Sequence, residues 1–450
     1  MQPHKSVNTI KTHLQDTLRL AIPISIGQVG HVMMGVIDNA MVGRLGPTPL
    51  AASAVANGIF FIILVIGIGI SYAVSPLVAI SQGAGNRNET EDVLHQSLVV
   101  NLITAMILWV IAYLTSFIIP YIGQPDDVTA YAVPYLQILS FSILPIMFFQ
   151  TYRQFIEGLG FVRPAMFITL FANGFNAFFN WVLIYGNLGF PELQLNGAGY
   201  ATLLSRLIMA LLLFGFVLKS KNFAVYDTRR LFPRPKVETI KRILNLGLPS
   251  SVQYFFEVSA FSVAAIMAGW IGAVPLAAHQ IAISLASITY MIVLGVSSAG
   301  AINVGRHLGE KSKKAVRSAG FTALISGAGF MLVTGLIFIL LKYYLPSLYI
   351  EDAETIKIAA GLLVIAALFQ VFDGTQAVGL GILRGLTDAK IPTAITLFAY
   401  WVVGLPVAYI MGFVFGYGVY GIWIGLSLGL ITSSILLTLR FHVKTASLVL

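Results

Sequence analysis

Pro49-Leu50-Ala51-Ala52 returns further down the chain as Pro275-Leu276-Ala277-Ala278, and the register of that match decides how the chain is built. The same step of 226 residues, without a gap, pairs Pro23 with Pro249, Gly46 with Gly272, Gly83 with Gly309, Asp126 with Asp352 and Gln150 with Gln376. A chance match does not hold its register from Pro23 to Gln150, so the chain reads as one structural unit repeated twice.

What repeats is apolar. Runs of at least about 18 apolar residues, the length that crosses a bilayer as a helix, lie near 18–43, 50–80, 93–119, 129–156, 164–188, 196–219, 239–269, 278–305, 316–341, 354–382, 391–414 and 418–440. Only 10% of the 450 residues are charged and 57% are hydrophobic, which excludes a water-soluble globule, since so much apolar side chain has to face lipid. The 42 Gly and 18 Pro are scattered inside the apolar runs, where small residues allow close helix packing and prolines break helices locally. A transmembrane β-barrel would instead alternate polar and apolar residues over strands of roughly ten residues. The reading is an all-α polytopic membrane protein of twelve transmembrane helices, arranged as two pseudo-symmetric six-helix bundles.

The bundles are assigned to residues 1–218 and 239–450, joined by a connector over 219–238 whose surroundings carry eight basic residues between Lys219 and Arg242 and the segment Phe232-Pro-Arg-Pro235. Six helices per repeat start both repeats on the same side of the membrane, a parallel relation that suits alternating access by two rocking bundles. With both termini cytoplasmic, 23 of the 27 Lys and Arg fall on the cytoplasmic side, against Arg44, Lys342 and Lys357 on the other, with Arg206 left inside the sixth span. That bias fixes the orientation, and it accounts for the net charge of +9 without a nucleic-acid partner. The polar stretch from Met1 to Asp16 leads into the first span with no cleavage site, so no signal peptide is expected. With no cysteine there is no disulfide or thiol chemistry.

Carboxylates inside spans cost at least about 2.5–3.5 kcal/mol on insertion scales and need a reason. Three qualify: Asp38 in Gly35-Val-Ile-Asp-Asn-Ala-Met-Val-Gly43, Glu257 in Gln253-Tyr-Phe-Phe-Glu257, and Asp373 in Phe369-Gln-Val-Phe-Asp-Gly-Thr-Gln376. Either they bind a cation or protons in a shared cavity, or they hold helices together through hydrogen bonds. Polar stripes at helical spacing accompany them: Gln370, Asp373 and Gln376; Asn173, Asn176 and Asn180; Gln280, Ser284 and Ser287. Each stripe alone reads as interhelical glue, worth about 0.6 kcal/mol per bond. The repeat carries Glu257 onto His31, Asp38 onto Ala264 and Asp373 onto Met147, so the ionisable site is asymmetric. Tyr290 and Phe256, close in sequence to these positions, suit an organic cation by cation–π contact.

No P-loop, no His-Glu-x-x-His and no Gly-x-Ser-x-Gly is present, and the seven histidines form no metal cluster by spacing. ATP-driven transport and common intramembrane hydrolysis lose support, and no catalytic residue and no cofactor is expected.

The combination of Asp38, Glu257 and Asp373 with the turn Leu45-Gly-Pro-Thr-Pro-Leu-Ala-Ala52 and the segment Arg384-Gly-Leu-Thr-Asp-Ala-Lys-Ile-Pro392 resembles the multidrug and toxic compound extrusion (MATE) family, in its NorM-like branch. The resemblance covers about Leu18 to Arg440. It implies a secondary antiporter in the bacterial inner membrane, acting as a monomer, that exports cationic amphipathic compounds against Na+ or H+. It associates Glu257, Asp373 and Tyr290 with the coupling cation, the two carboxylates as Na+ ligands, and Asp38 and Gln280 with substrate or coupling; Asn176, Asn180 and Phe256 are further candidates for substrate contact. Phe369 stands where a tyrosine is expected beside the cation. A flippase for lipid-linked oligosaccharides would line its cavity with several Arg or Lys, and only Arg206 is available here. An intramembrane transferase would use the same acids as general acid and base but needs longer polar loops.

Overall fold

A computed structural model describes residues 10–230 and 234–449; Lys5 and the start of the polar leader, and Phe232 and Pro233 of the connector, lie outside the described residues. The described residues are helices joined by short turns, with no strand among them. The twelve expected spans are present: α1 (Lys11–Leu45), α2 (Pro47–Gly83), α3 (Arg87–Ser116), α4 (Asp126–Gly158), α5 (Arg163–Tyr185), α6 (Gln194–Lys219), α7 (Val237–Ile271), α8 (Ala273–Gly309), α9 (Lys313–Leu340), α10 (Ala353–Gly385), α11 (Lys390–Val414) and α12 (Gly418–Ala446). The outermost ends run past the apolar segments, α1 starting before residue 18 and α12 ending after residue 440. Apolar length marks only the part of a helix in hydrocarbon, and polar turns bearing His13 and Asp16, or His442 and Lys444, continue the same backbone pattern into the interface.

Prolines shape the spans. α2 is interrupted at Tyr72 and Ala73, where Pro76 has no N–H for the Tyr72 carbonyl, and α4 at Ser142, where Pro145 has none for the Phe141 carbonyl. α11 is widened into π-helical turns over Phe398–Gly404 and Ile410–Val414 on either side of a short α-helical piece that contains Pro406. At the other helix ends, Asp352 caps α10 by accepting from the Thr355 N–H at 2.8 Å and its hydroxyl at 2.6 Å, contacts that hold this carboxyl below its usual range.

The chain divides into two compact units. The first comprises residues 26–81 and 86–251. Every residue of α4 from Phe149 to Gly158 is buried in it. The connector helps to cover that turn: the Tyr152 hydroxyl donates to the Thr228 carbonyl at 3.2 Å, and the Tyr226 ring stands edge-on to Phe155 at 5.8 Å. His95 Nε2 donates to the Asp227 carbonyl at 2.6 Å and Gln96 Nε2 to that of Arg234 at 3.0 Å, so the described part of the connector is tied to α3 rather than free.

The second unit comprises the residues up to 25, 82–85 and those from 252 onward. Its core sets the large rings of Trp423, Tyr400 and Phe369 among Ala260, Ala264, Ala278, Ala282, Ala359 and Ala366, where small side chains let helices approach closely.

The units therefore interleave the two sequence halves. The start of α1 packs with the second half, and the start of α7 with the first, by the same contact used twice. In the second unit the Ser25 hydroxyl donates to the Ile292 carbonyl at 2.6 Å, with Gly295 pressed on the Ser25 backbone. In the first unit the Ser251 hydroxyl donates to the Ile66 carbonyl at 2.8 Å, with Gly69 pressed on the Ser251 backbone. Ser25 and Ser251, Ile66 and Ile292, and Gly69 and Gly295 are each partners under the 226-residue repeat. A side chain at either glycine would occupy the space of the crossing helix.

Candidate functional site

The three carboxylates fall in two networks, one within each unit. In the second unit, α7 presents Glu257, 4% exposed, to α8 and α10. Its carboxylate accepts from the Tyr290 hydroxyl at 2.9 Å, from Gln253 Nε2 at 2.6 Å and from Gln376 Nε2 at 3.3 Å. Gln253 lies one turn below Glu257 on its own helix, and Gln376 comes from the polar stripe of α10. Gln376 is fixed in turn by the Tyr400 hydroxyl, which donates to its Oε1 at 3.0 Å. Gln370 Nε2 donates to Thr289 at 3.0 Å, and its Oε1 accepts from Thr334 at 2.6 Å. Asp373, 7% exposed, lies near enough to Glu257 for their charges to act on one another, and it has no hydrogen-bond donor among the described residues. Two buried acids on facing helices of one unit, one of them accepting three side-chain hydrogen bonds, supply oxygens of the kind suited to a hard cation or a proton.

In the first unit Asp38, 7% exposed, accepts from Asn180 Nδ2 at 2.6 Å and from the Thr202 hydroxyl at 2.8 Å. Asn180 Nδ2 also donates to Asn176 Oδ1 at 3.2 Å, leaving Asn180 Oδ1 and Asn176 Nδ2 buried without a partner among the described residues. Asn173, third in that stripe, instead donates to the Gly30 carbonyl at 2.8 Å and ties α5 to α1. His31 is half-buried beside Phe149, at 6.5 Å between rings.

The remaining candidates sit outside these bonds. Gln280 is exposed on α8, and Ser284 and Ser287 donate to carbonyls of their own helix. The Phe256 ring stands edge-on to Trp401 at 5.7 Å, and its carbonyl accepts from Trp401 Nε1 at 3.1 Å. Phe369, where a tyrosine is expected, is buried on Trp423 in the apolar core. Tyr400, from the π-helical turn of α11, brings its hydroxyl to Gln376, which itself bonds Glu257. Sequence reasoning missed Tyr400 and Thr202. Pro406 within an apolar span was the available sign that α11 departs from regular geometry, whereas Thr202 looks like any small residue of a packed helix. Arg153, near the end of α4, is 3% exposed and paired at 2.7 Å with Glu157, 2% exposed.

A twelve-span chain made of two repeats, each unit carrying its own buried carboxylate network, has the build of a multi-pass membrane transporter. The MatE family pattern matches residues 23–182 and again 249–410, the two matches beginning at Pro23 and Pro249, and the chain belongs to this family. It is similar to the probable multidrug resistance protein NorM of Rhizobium meliloti (strain 1021), 36% identical over 97% of this chain and 95% of the relative. The multidrug resistance protein NorM of Burkholderia vietnamiensis is 33% identical over 98% and 96% respectively. Among solved structures, a MATE protein in its bent conformation superposes with a TM-score of 0.89 at 22% identity over 98% of both chains. The eukaryotic MATE transporter AtDTX14 gives 0.87 at 20% identity over 97% of this chain and 98% of that one.

Proposed function

We propose that the protein is a secondary antiporter that exports cationic amphipathic compounds in exchange for Na+ or H+, by alternating access, and that it has no enzymatic activity. The paired acids carry this reading: Glu257 and Asp373 lie buried in one unit, with the Tyr290 hydroxyl and Gln253 and Gln376 around Glu257. The multidrug resistance relatives support the export of drugs. Asp38, with Asn180 on it and Asn176 beside Asn180, contributes to coupling and to holding the substrate's positive charge, and Gln280 and Phe256 contribute to substrate contact. The carboxylates of Glu257 and Asp373, with the neutral oxygens beside them, would be the ligands of Na+, a hard cation that selects oxygen. The flippase reading has less support, because Arg153 is neutralised by Glu157 and, among the described residues, that leaves Arg206 as a mid-span basic side chain outside an ion pair.

Charge counting shapes the test. Exchange of one monovalent cation for one monovalent drug moves no net charge, so the membrane potential, worth about 2.3 kcal/mol per charge at 100 mV, drops out unless more than one cation enters. In proteoliposomes held at fixed pH, an inward Na+ gradient is expected to accelerate efflux of a fluorescent cation, and Na+ to compete with the drug. Efflux that follows the pH gradient alone assigns the coupling to protons; efflux indifferent to both gradients removes the antiport reading.

The proposed orientation places both ends on the cytoplasmic side of the bacterial inner membrane, and the 23-to-3 division of basic residues supports the sidedness. In this cysteine-free chain, single cysteines at Asn222 and Glu192 are expected to label from opposite sides. Labelling of N222C by an impermeant reagent outside intact cells reverses the topology.

A further inference from the structure

We infer that His13 and His307 together bind a divalent transition-metal ion such as Zn2+, which pins the first turn of α1 to the last turn of α8 within the second unit. The site is distinct from the Glu257 network, since His307 lies about 25 Å along α8 beyond Tyr290.

The two rings meet because the helices that carry them cross in register. Asn303 Nδ2 donates to the Thr17 hydroxyl oxygen at 3.4 Å, on the same seam as the bond from Ser25 to the Ile292 carbonyl. His13 stands one turn before Thr17 and His307 one turn after Asn303, so an antiparallel crossing sets the imidazoles opposite each other. Their ring centres are 5.4 Å apart and their planes at 88°. At the same end Gly83 of α2 is pressed on the Arg306 carbonyl, which fixes the backbone beside His307.

Both rings keep a nitrogen open. His13 is 3% exposed, and its Nε2 is buried with no hydrogen-bond partner among the described residues. A buried ring nitrogen left in this way asks for a ligand or an ion. On the neutral His307 ring, Nδ1 donates to the Glu310 carboxylate at 2.7 Å, because a carboxylate only accepts, and Nε2 is left with its lone pair. A carboxylate behind the imidazole is the usual arrangement at a metal-ligating histidine, where it fixes the tautomer and raises the basicity of the other nitrogen.

The spacing of the rings fits the same chemistry. Zn2+ stands about 2.0–2.1 Å from an imidazole nitrogen, hence about 3.2 Å from the ring centre, and two rings at the tetrahedral angle have centres about 5.2 Å apart. The pair here is built to that measure. No third His, Cys, Asp or Glu gathers with them among the described residues, so water completes the coordination. Water has access along His307, whose side chain is 18% exposed beside the more open Glu310. Asp16, one turn on from His13, acts on the charge of Arg306 and offsets it against an arriving cation.

Titration calorimetry of Zn2+ into untagged full-length protein in detergent reads the site without any gradient or drug. Wild-type protein is expected to bind the ion. Glu310→Gln, which leaves both ligands in place, is expected to weaken binding about tenfold, and His13→Gln and His307→Gln each at least about a hundredfold. His442, held by Arg317 at 3.1 Å, is the control, and His442→Gln is expected to change nothing. Thermal midpoints give a second reading: Zn2+ raises that of wild-type protein and of neither histidine variant, since an ion bound only to the folded chain stabilises it. If one histidine variant does not fold, the other carries the comparison. Wild-type protein that binds no Zn2+, or histidine variants that bind it and are stabilised as wild-type protein is, overturns the inference. So does a loss in His442→Gln as large as that in His13→Gln.

Discussion

Glu257→Gln and Asp373→Asn are each expected to abolish gradient-driven efflux while the protein still inserts and folds. The fall is roughly a hundredfold, the upper range for loss of a coupling free energy of about 3 kcal/mol. Each substitution keeps the shape of the side chain and removes the charge. Gln at 257 still accepts from the Tyr290 hydroxyl and Gln376, so the junction of α7, α8 and α10 keeps its polar contacts. Removing a charge from the membrane interior lowers an insertion cost of about 2.5–3.5 kcal/mol, which favours folding if it changes it at all. Efflux from proteoliposomes, beside the yield and thermal midpoint of the purified variants, separates the cases. Wild-type efflux in both variants makes these carboxylates structural and places the coupling site elsewhere.

The second large effect is one of packing. Gly69→Val and Gly295→Val are each expected to prevent recovery of folded protein, and the corresponding alanines to cost about 1–3 kcal/mol, the usual range for overpacking. At both positions a Cβ would overlap the backbone of the crossing serine, which has no rotamer with which to yield. Gly215→Ala and Gly329→Ala are the controls. No atom lies within 4 Å of a Cβ at either site, so these changes are expected to be neutral or to stabilise by about 0.5–1 kcal/mol through helix propensity. Thermal midpoints in one detergent measure all four alanine variants. Equal midpoints for Gly69→Ala, Gly295→Ala and the controls remove the close crossing.

Much of this architecture is written in local pattern. Apolar run lengths give twelve helices because hydrocarbon imposes the length, and the repeat of Pro49-Leu50-Ala51-Ala52 gives the duplication because both copies make the same turn. The carboxylates announce themselves by cost, and Gln376 by its spacing from Asp373. The assignment of partners to them is a tertiary matter. Thr202 reaches Asp38 across 164 positions of sequence, and Tyr400 reaches Gln376 from a π-helical turn of α11. Nor does hydropathy register that α1 and α7 each begin among the helices of the other half, since it measures how apolar a segment is and not which helix it packs on.

That exchange bears on how the chain is made. The hydroxyl of Ser25 meets its acceptor 267 residues later in the sequence. At about 5–20 residues per second of synthesis, the first segment waits roughly a quarter of a minute to a minute in the bilayer before its packing surface exists. Ser251, in contrast, finds Ile66 and Gly69 already synthesised. The unit built around the chain's beginning is therefore the one whose last parts are synthesised latest, and the first segment is held ready for partners that follow it. A polypeptide cut within the connector would yield two fragments, neither of which carries the whole of a compact unit.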